Sequence, residues 1–229
     1  MIAGSAMTPK ELKQRILYQD SNIVVLDKPA GLAVHGGPST HVHLESVLES
    51  LWSEPGRTPR PAHRLDRDTS GCLVLARHDK ARARLGRLFG AGQIGKLYWA
   101  VVEGIPGAEV GTIRMPLRKE NSRAGWRMVS DPAGSPACTN WRRMGESSNR
   151  AWLELEPLTG RTHQIRVHCA LALGCPVLGD PVYGRPGPLL HLMSRRIQIP
   201  YWAERPPIMV TAPVPEHMRV LLADCGYRE

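Results

Sequence analysis

The sequence predicts an α+β fold, a mixed, mostly antiparallel sheet flanked by helices. Segments of strand character far outnumber helical ones across the 229 residues. The two kinds also do not alternate strictly, as a parallel βαβ sheet would require. Apolar residues at helical spacing are confined to a few short segments.

Taken in order, ILYQD (16–20) and IVVLD (23–27) are short strands around a polar turn. KPAGLAVHGG (28–37) supplies turn chemistry, and LESVLESLW (44–52) carries apolar residues at helical spacing. CLVLAR (72–77) is a short apolar run, expected as a buried strand. DKARARLGRLF (79–89) is an amphipathic helix with Ala81, Leu85 and Leu88 on one face and Lys80, Arg84 and Arg87 on another. Such a basic face is usually solvated surface, but near a nucleic-acid site it touches phosphates. KLYWAVVEG (96–104) is a strand by its aromatic and β-branched content, and ACTNWRRM (137–144) and RAWLELEPL (150–158) follow as strands. THQIRVHCALALG (162–174) reads as a helix with Thr162 as N-cap and Gly174 just past its end. LLHLMSRRIQI (189–199) and PIMVTAP (207–213) are late strands, and EHMRVLLADCG (216–226) is a closing helix. With no repeat, low-complexity tract or long linker, the division is an N-terminal extension over 1–15 and one domain over 16–229.

Composition narrows the function classes. Apolar content is 42%, ordinary for a globular protein. No stretch approaches the roughly 20 apolar residues that span a bilayer, and MIAGSAMTPKELKQR lacks the apolar core of a secretory signal. The expectation is a cytoplasmic protein with no membrane partner. Five cysteines without CxxC spacing argue against a disulfide framework and against a cysteine zinc site. The formal net charge is +9, from 24 Arg and 6 Lys against 21 acidic residues. A GC-rich genome accounts for arginine over lysine, not for the excess of basic over acidic residues. A polyanionic partner, nucleic acid above all, is expected.

Two motifs are decoys. GAGQIG (90–95) fits the dinucleotide pattern, and extended through Lys96 and Leu97 it nearly fits a P-loop. Both need a strand before and a helix after, so that helix N-terminal amides face phosphate. Here the order is reversed, and Leu97 stands where a P-loop needs Ser or Thr. The segment reads as a helix C-terminal glycine turn. The histidines form no metal site: His163 and His168 are five apart and do not share a helix face.

The densest chemistry lies in HRLDRDTSG (63–71). Asp68 through Gly71 suit a polar turn. That reading leaves Asp66 unexplained, a carboxylate behind His63, Arg64 and Leu65. In LTGRTHQIRVH (158–168), Arg161 and His163 at a helix start suggest an anion site, with Arg166 one turn in. GCPVLGDPVYG (174–184) is a Gly/Pro-rich loop tight enough to line a pocket.

These segments, in this order, resemble the RluA-type pseudouridine synthases. HRLDRDTSG resembles the signature whose aspartate is catalytic, here Asp66. KLYWAVVEG resembles the strand carrying an active-site tyrosine, here Tyr98. LTGRTHQIRVH resembles the segment whose arginine pairs with that aspartate, here Arg166. GCPVLGDPVYG and the opening ILYQDSNIVVLDKPAGLAVHGG are similar to further parts of the family, and the likeness runs from about residue 16 to at least 199. The tail keeps the family's His-containing strand only in outline. About 15 residues precede the first strand, so the S4-type domain of many relatives is expected to be absent.

The resemblance implies the pseudouridine synthase catalytic fold and isomerisation of uridine in a ribosomal or transfer RNA stem-loop. Because substrate and product are isomers, no cofactor and no metal are expected, and a monomer is the default. Reaching the sugar–base junction requires the uridine to flip out of its stack. Arg64, Arg84, Arg87 and Arg161, with His63 and His163, are the candidates for holding the RNA. Asp66 has three candidate roles: attack on the ribose, addition to the base, or removal of a ribose proton. Tyr98 would stack on the uracil; as a residue type it is equally a core tyrosine. Two alternatives remain. Glycoside cleavage by Asp66 and Asp68 suffers because residues two apart in a turn poorly match the separation that chemistry needs. A non-catalytic RNA-binding or ribosome-assembly factor is the other.

Overall fold

Runs of buried β-branched and leucine residues determine where the strands lie. In the computed structural model, which describes residues 7–37, 42–52, 58–122 and 125–228, the architecture is α+β with a mixed, mostly antiparallel sheet and flanking helices. The chain divides into two compact units, Met1–Ile94 with Arg196–Pro213, and Gly95–Arg195 with Val214–Glu229.

The first unit opens with α1 (Pro9–Gln14). Thr8 and Glu11 cap it reciprocally: Thr8 Oγ1 accepts from Glu11 N at 3.2 Å and Glu11 Oε2 from Thr8 N at 2.8 Å. The region expected as an extension over 1–15 therefore contains a capped helix; residues 1–6 lie outside the described residues. T-P-x-E was the signal for it. β1 (Ile16–Gln19) pairs antiparallel with β2 (Ile23–Lys28), and β2 with β4 (Ser70–Ala76). α2 (Leu44–Leu51) and the two-residue β3 (Arg60–Pro61) intervene. Every residue of β4 is buried, which explains why its sequence is continuously apolar rather than alternating. α3 (Asp79–Gly90) buries Ala81 and Leu85, as its pattern predicted. It ends in the predicted glycine turn: Ala91 N donates to Arg87 O, and Gly92 has φ +67°. Helix, turn and strand follow in that order, so GAGQIG opens no helix.

The second unit holds β5 (Gly95–Glu103), β6 (Val110–Arg114), β9 (Cys138–Ser147) and β10 (Arg150–Pro157) in the order β5-β10-β9-β6, all antiparallel. β7 (Leu117–Ser122) and β8 (Gly125–Ser130) form a separate hairpin. Ala100, Val102, Leu153 and Leu155 of β5 and β10 pack with Ile165, Cys169 and Val177 into one core. The helix expected over 162–174 is shorter and differently built. α4 spans Gln164–Val167 only, and His168–Ala172 continue as a π-helix. Thr162 is not its N-cap; that place belongs to His163, in the left-handed region at φ +52°. Gly174 does lie just past the end, with φ +65°.

β11 (Leu192–Ile199) runs along the chain from the second unit into the first. β12 (Ile208–Thr211) pairs with its Arg196–Ile199 portion. α5 (Glu216–Asp224) returns to the second unit, where Tyr227 sits edge-on to Trp99 and Trp152.

Candidate active site

Asp66 lies in the first unit, half-buried, after the buried Leu65. Its main chain forms a turn closed by Thr69 N donating to Asp66 O at 3.1 Å. Thr69 and Ser70 are buried, so the polar turn predicted for 68–71 packs inward as β4 begins.

The turn is held by a residue the sequence reading did not single out. Lys28 is fully buried. Its Nζ donates to the carbonyls of Pro29 (2.9 Å), Leu32 (2.8 Å) and Arg67 (2.9 Å). Three acceptors match the three protons of an ammonium. Burial pushes Lys28 down to about 7, while Asp68, Asp66 and Asp27 pull it back up. Arg67, the neighbour of Asp66, is also tied to Gly31. Gly31 N donates to Arg67 O at 3.0 Å, and Arg67 Nε donates to Gly31 O at 3.2 Å. Gly31 takes φ +84°, a conformation other residues adopt at a cost. The segment KPAG thus anchors the segment LDR.

His63 has a structural task beside this turn. Its Nε2 accepts from Val74 N at 3.0 Å, and its ring stacks on Phe89 with centroids 4.6 Å apart. It pins the strand-entry segment between β4 and α3. Arg64 and Arg87 are exposed. Arg84 lies over the rings of Tyr201 and Trp202, at 4.9 and 5.5 Å from their centroids.

The second unit carries Tyr98 and Arg166. Tyr98 is half-buried on β5, opposite Leu155 of β10, and packs on the core cluster. Arg166 is buried and forked onto Asp180, Nε to Oδ2 and Nη2 to Oδ1, both at 2.7 Å. The fork uses two of the guanidinium's five N–H groups. Asp180, fully buried, also accepts Val182 N (2.9 Å) and Tyr183 N (3.1 Å). Burial by itself raises its carboxyl; the Arg166 fork and the two amides bring it below the ordinary aspartate value. Asp180 escaped the sequence reading, although an aspartate directly after a turn glycine in GCPVLGDPVYG was the signal. Gly179 has φ +80° there, and a Cβ on it would collide with Leu189 O.

The anion site expected at the start of the 162–174 helix takes another form. Four α-helical residues make too short a dipole, and Arg161, exposed, donates from Nε to Pro136 O at 3.0 Å. Gln164 organises the segment instead. Its Oε1 accepts from Arg161 N (3.0 Å) and Thr159 Oγ1 (2.7 Å), and its Nε2 donates to Cys138 O (2.9 Å) and Thr139 Oγ1 (3.0 Å). His163 stacks on Trp126 of β8 with centroids 5.0 Å apart, and its Nδ1 lies 2.9 Å from the Tyr183 hydroxyl. His168 is fully buried between Thr139 Oγ1 and Met115 O. Among the described residues no group of three His, Cys, Asp or Glu side chains is placed to hold a metal ion. No described helix is long and apolar enough to cross a membrane.

A family model described as RNA pseudouridylate synthase matches residues 22–171, a span that contains Asp66, Tyr98 and Arg166. The chain belongs to the RNA pseudouridylate synthase family. It is 42% identical over 212 residues to an uncharacterised RNA pseudouridine synthase of Zymomonas mobilis, covering 90% of this chain and 95% of that protein. It is 34% identical over 226 residues to ribosomal large subunit pseudouridine synthase C of Haemophilus ducreyi, covering 93% of this chain and 69% of the other. The solved structure of human RNA pseudouridylate synthase domain containing 4 superposes with a TM-score of 0.80 at 26% identity, covering 96% of each chain. As an RNA pseudouridine synthase the chain is an isomerase. The expected fold and family are those found, and GCPVLGDPVYG, outside the matched span, supplies Asp180 to the Arg166 pair.

Proposed function

We propose that this synthase isomerises specific uridines in structured ribosomal or transfer RNA, with Asp66 as the catalytic carboxylate. The reading is supported above all by the way the turn of Asp66 is fixed. A fully buried ammonium and a left-handed glycine hold the adjoining Arg67 main chain, leaving the Asp66 side chain half-buried. A catalytic group must be held in its productive geometry, and rigidity of this kind is what proximity effects require.

The reaction breaks the bond between uracil N1 and ribose C1′, turns the base and joins C5 to C1′; the C5 hydrogen leaves as a proton to solvent, and N1 takes up a proton in its place. Atoms balance without an electron acceptor, so no cofactor enters the proposal. Asp66 acts on the flipped nucleotide. Tyr98 stacks on the uracil, and its hydroxyl is the group for the late C5 proton. Arg166 orients Asp66 through a charge-assisted bond. Arg64, Arg84, Arg87 and Arg161, with His63 and His163, are the groups that hold the RNA, offsetting the cost of flipping through phosphate contacts, which makes binding salt-dependent. Residues 16–229 act as one catalytic domain, as a monomer and in the cytoplasm.

The test is tritium release from ribosomal and transfer RNA labelled at C5 of uridine, prepared from cells lacking the protein. Release by the wild type and none by Asp66→Asn supports the reading and names the RNA class. Salt-dependent RNA binding without release from either pool would overturn it in favour of a non-catalytic RNA-binding factor.

A further inference from the structure

Tyr183 stands between two features that the proposed chemistry leaves unconnected, the β7–β8 hairpin and the Arg166–Asp180 pair. Its hydroxyl accepts from Met128 N in β8 at 2.8 Å and lies 2.9 Å from His163 Nδ1. The hydroxyl thus meets the β8 main chain and the His163 ring together. His163 in turn stacks on Trp126, four-ninths exposed on the same strand, over which Lys119 Nζ sits at 4.9 Å. Tyr183 packs against the small core cluster of Leu117, Met128, Ala137 and Val167. It also meets the pair: the Arg166 guanidinium lies 5.3 Å from its ring centroid, and its amide donates to Asp180 Oδ1. One side chain therefore touches the hairpin by its hydroxyl and the buried ion pair by its ring. His163 joins the link in a left-handed backbone conformation, at φ +52°, which a non-glycine residue holds only when its surroundings fix it.

We propose that Tyr183 is a positioning residue that couples the β7–β8 hairpin to the orientation of Arg166. Asp180 fixes the guanidinium in its plane through two hydrogen bonds. A ring against the guanidinium restricts its rotation out of that plane, which a carboxylate fork alone resists weakly. The hydroxyl then determines where the ring stands, because it is held at one end by the β8 main chain and at the other by His163. Displacing the hairpin displaces the ring, and with it the guanidinium. The inference rests on the proposed role of Arg166 in orienting the catalytic carboxylate.

The experiment compares full-length wild type, Tyr183→Phe and Tyr183→Leu. Arg166 is followed by the NMR signal of its Nε–H, assigned by its loss in Arg166→Lys, and Trp126 by its indole N–H. Activity is read as tritium release from C5-labelled RNA, resolved into kcat and KM. Phe keeps the ring and loses the hydroxyl. It is expected to shift the Trp126 signal and, with the ring no longer held by the hairpin, to speed Arg166 Nε–H exchange and lower kcat by about threefold to fivefold. Leu loses both, and is expected to speed Arg166 Nε–H exchange at least about tenfold and lower kcat at least about tenfold, with KM little changed. A purely structural role lowers the melting temperature without moving kcat of the folded protein. Unchanged Arg166 exchange in Tyr183→Phe or in Tyr183→Leu, or changed exchange with wild-type kcat, overturns the inference. Wild-type protein that releases no tritium overturns the proposed function instead, and the coupling is then judged by Arg166 exchange alone.

Discussion

Replacing Asp180 with alanine removes the carboxylate forked onto a buried guanidinium, and the cost follows from the geometry. Arg166 is 5% exposed and loses both of its 2.7 Å bonds to that carboxylate. Removing one partner of a buried pair costs about 3–5 kcal/mol, because the survivor loses much of the interaction that offset its desolvation. The amides of Val182 and Tyr183 lose their acceptor as well. For a chain of this length each kcal/mol moves the melting temperature about 2–4 °C. With a loss of about 4 kcal/mol, circular dichroism melts at pH 7.5 are expected to fall by about 8–16 °C. The double variant Arg166→Met/Asp180→Ala removes the buried cation together with its carboxylate and is expected to recover part of that loss. A melting temperature lowered by less than about 3 °C, or a double variant that loses the sum of the two single ones, would refute the reasoning. The pair also has a pH signature. Asp180 has a depressed pKa, so its contribution is complete above the unfolded aspartate value near about 4 and is lost as pH falls below it through the folded value.

Lys28→Met replaces a buried ammonium by three carbonyls without a donor, each costing about 1–3 kcal/mol, partly offset by relief of the ammonium's burial. Urea titration is expected to show a net loss of about 2 kcal/mol, and tritium release to fall at least about tenfold as the Arg67 carbonyl beside Asp66 is freed; stability at or above wild type counts against the Lys28 anchor. Gly179→Ala puts a Cβ against Leu189 O at φ +80°, and a loss of about 2–3 kcal/mol is expected from strain and displacement of Asp180, tested by the same titration. Burial lowers the pKa values of His168, His191 and His217. The unfolded chain therefore takes up more protons, and stability is complete above about pH 6.5 and declines as pH falls through that value. Melting temperatures measured between pH 8 and pH 5.5 should trace this decline, with a shallower slope in His168→Gln; a flat profile in the wild type would show that these rings charge at no cost.

The elements legible in the sequence were those whose side chains face one way or are wholly enclosed. Ile23–Leu26 and Cys72–Ala76 are buried at every position, so a plain apolar run announced them. Ala81 and Leu85 announced α3 by spacing. The hairpin Leu117–Ser130 escaped because Leu117 and Met128 are its only buried described residues, and two apolar side chains among charged ones make no period. α1 escaped because its signal lay in the cap rather than in hydrophobicity. Asp66, Tyr98 and Arg166 were legible as motif positions, whereas their neighbours were not. Lys28 looks like any surface lysine until three carbonyls are seen around it, and Asp180 like any turn aspartate until Arg166 arrives from 14 residues earlier. The left-handed His163 and the π-turns after it come from tertiary bonding by Gln164 and His168, which no local propensity encodes.

The chain passes from one unit to the other three times, after Ile94, after Arg195 and after Pro213. Neither unit is a continuous stretch of polypeptide. During synthesis, the first 94 residues leave the ribosome lacking β12 and the β11 segment it pairs with, including the Val210 carbonyl that Cys72 Sγ reaches at 3.5 Å. Strands β5 through β10 are all translated before those residues appear. A nascent chain interrupted anywhere before Pro213 exposes an unfinished first unit to chaperones and proteases, whereas the turn that holds Asp66 draws Lys28, Gly31 and Arg67 from the first 94 residues and has those partners from the start.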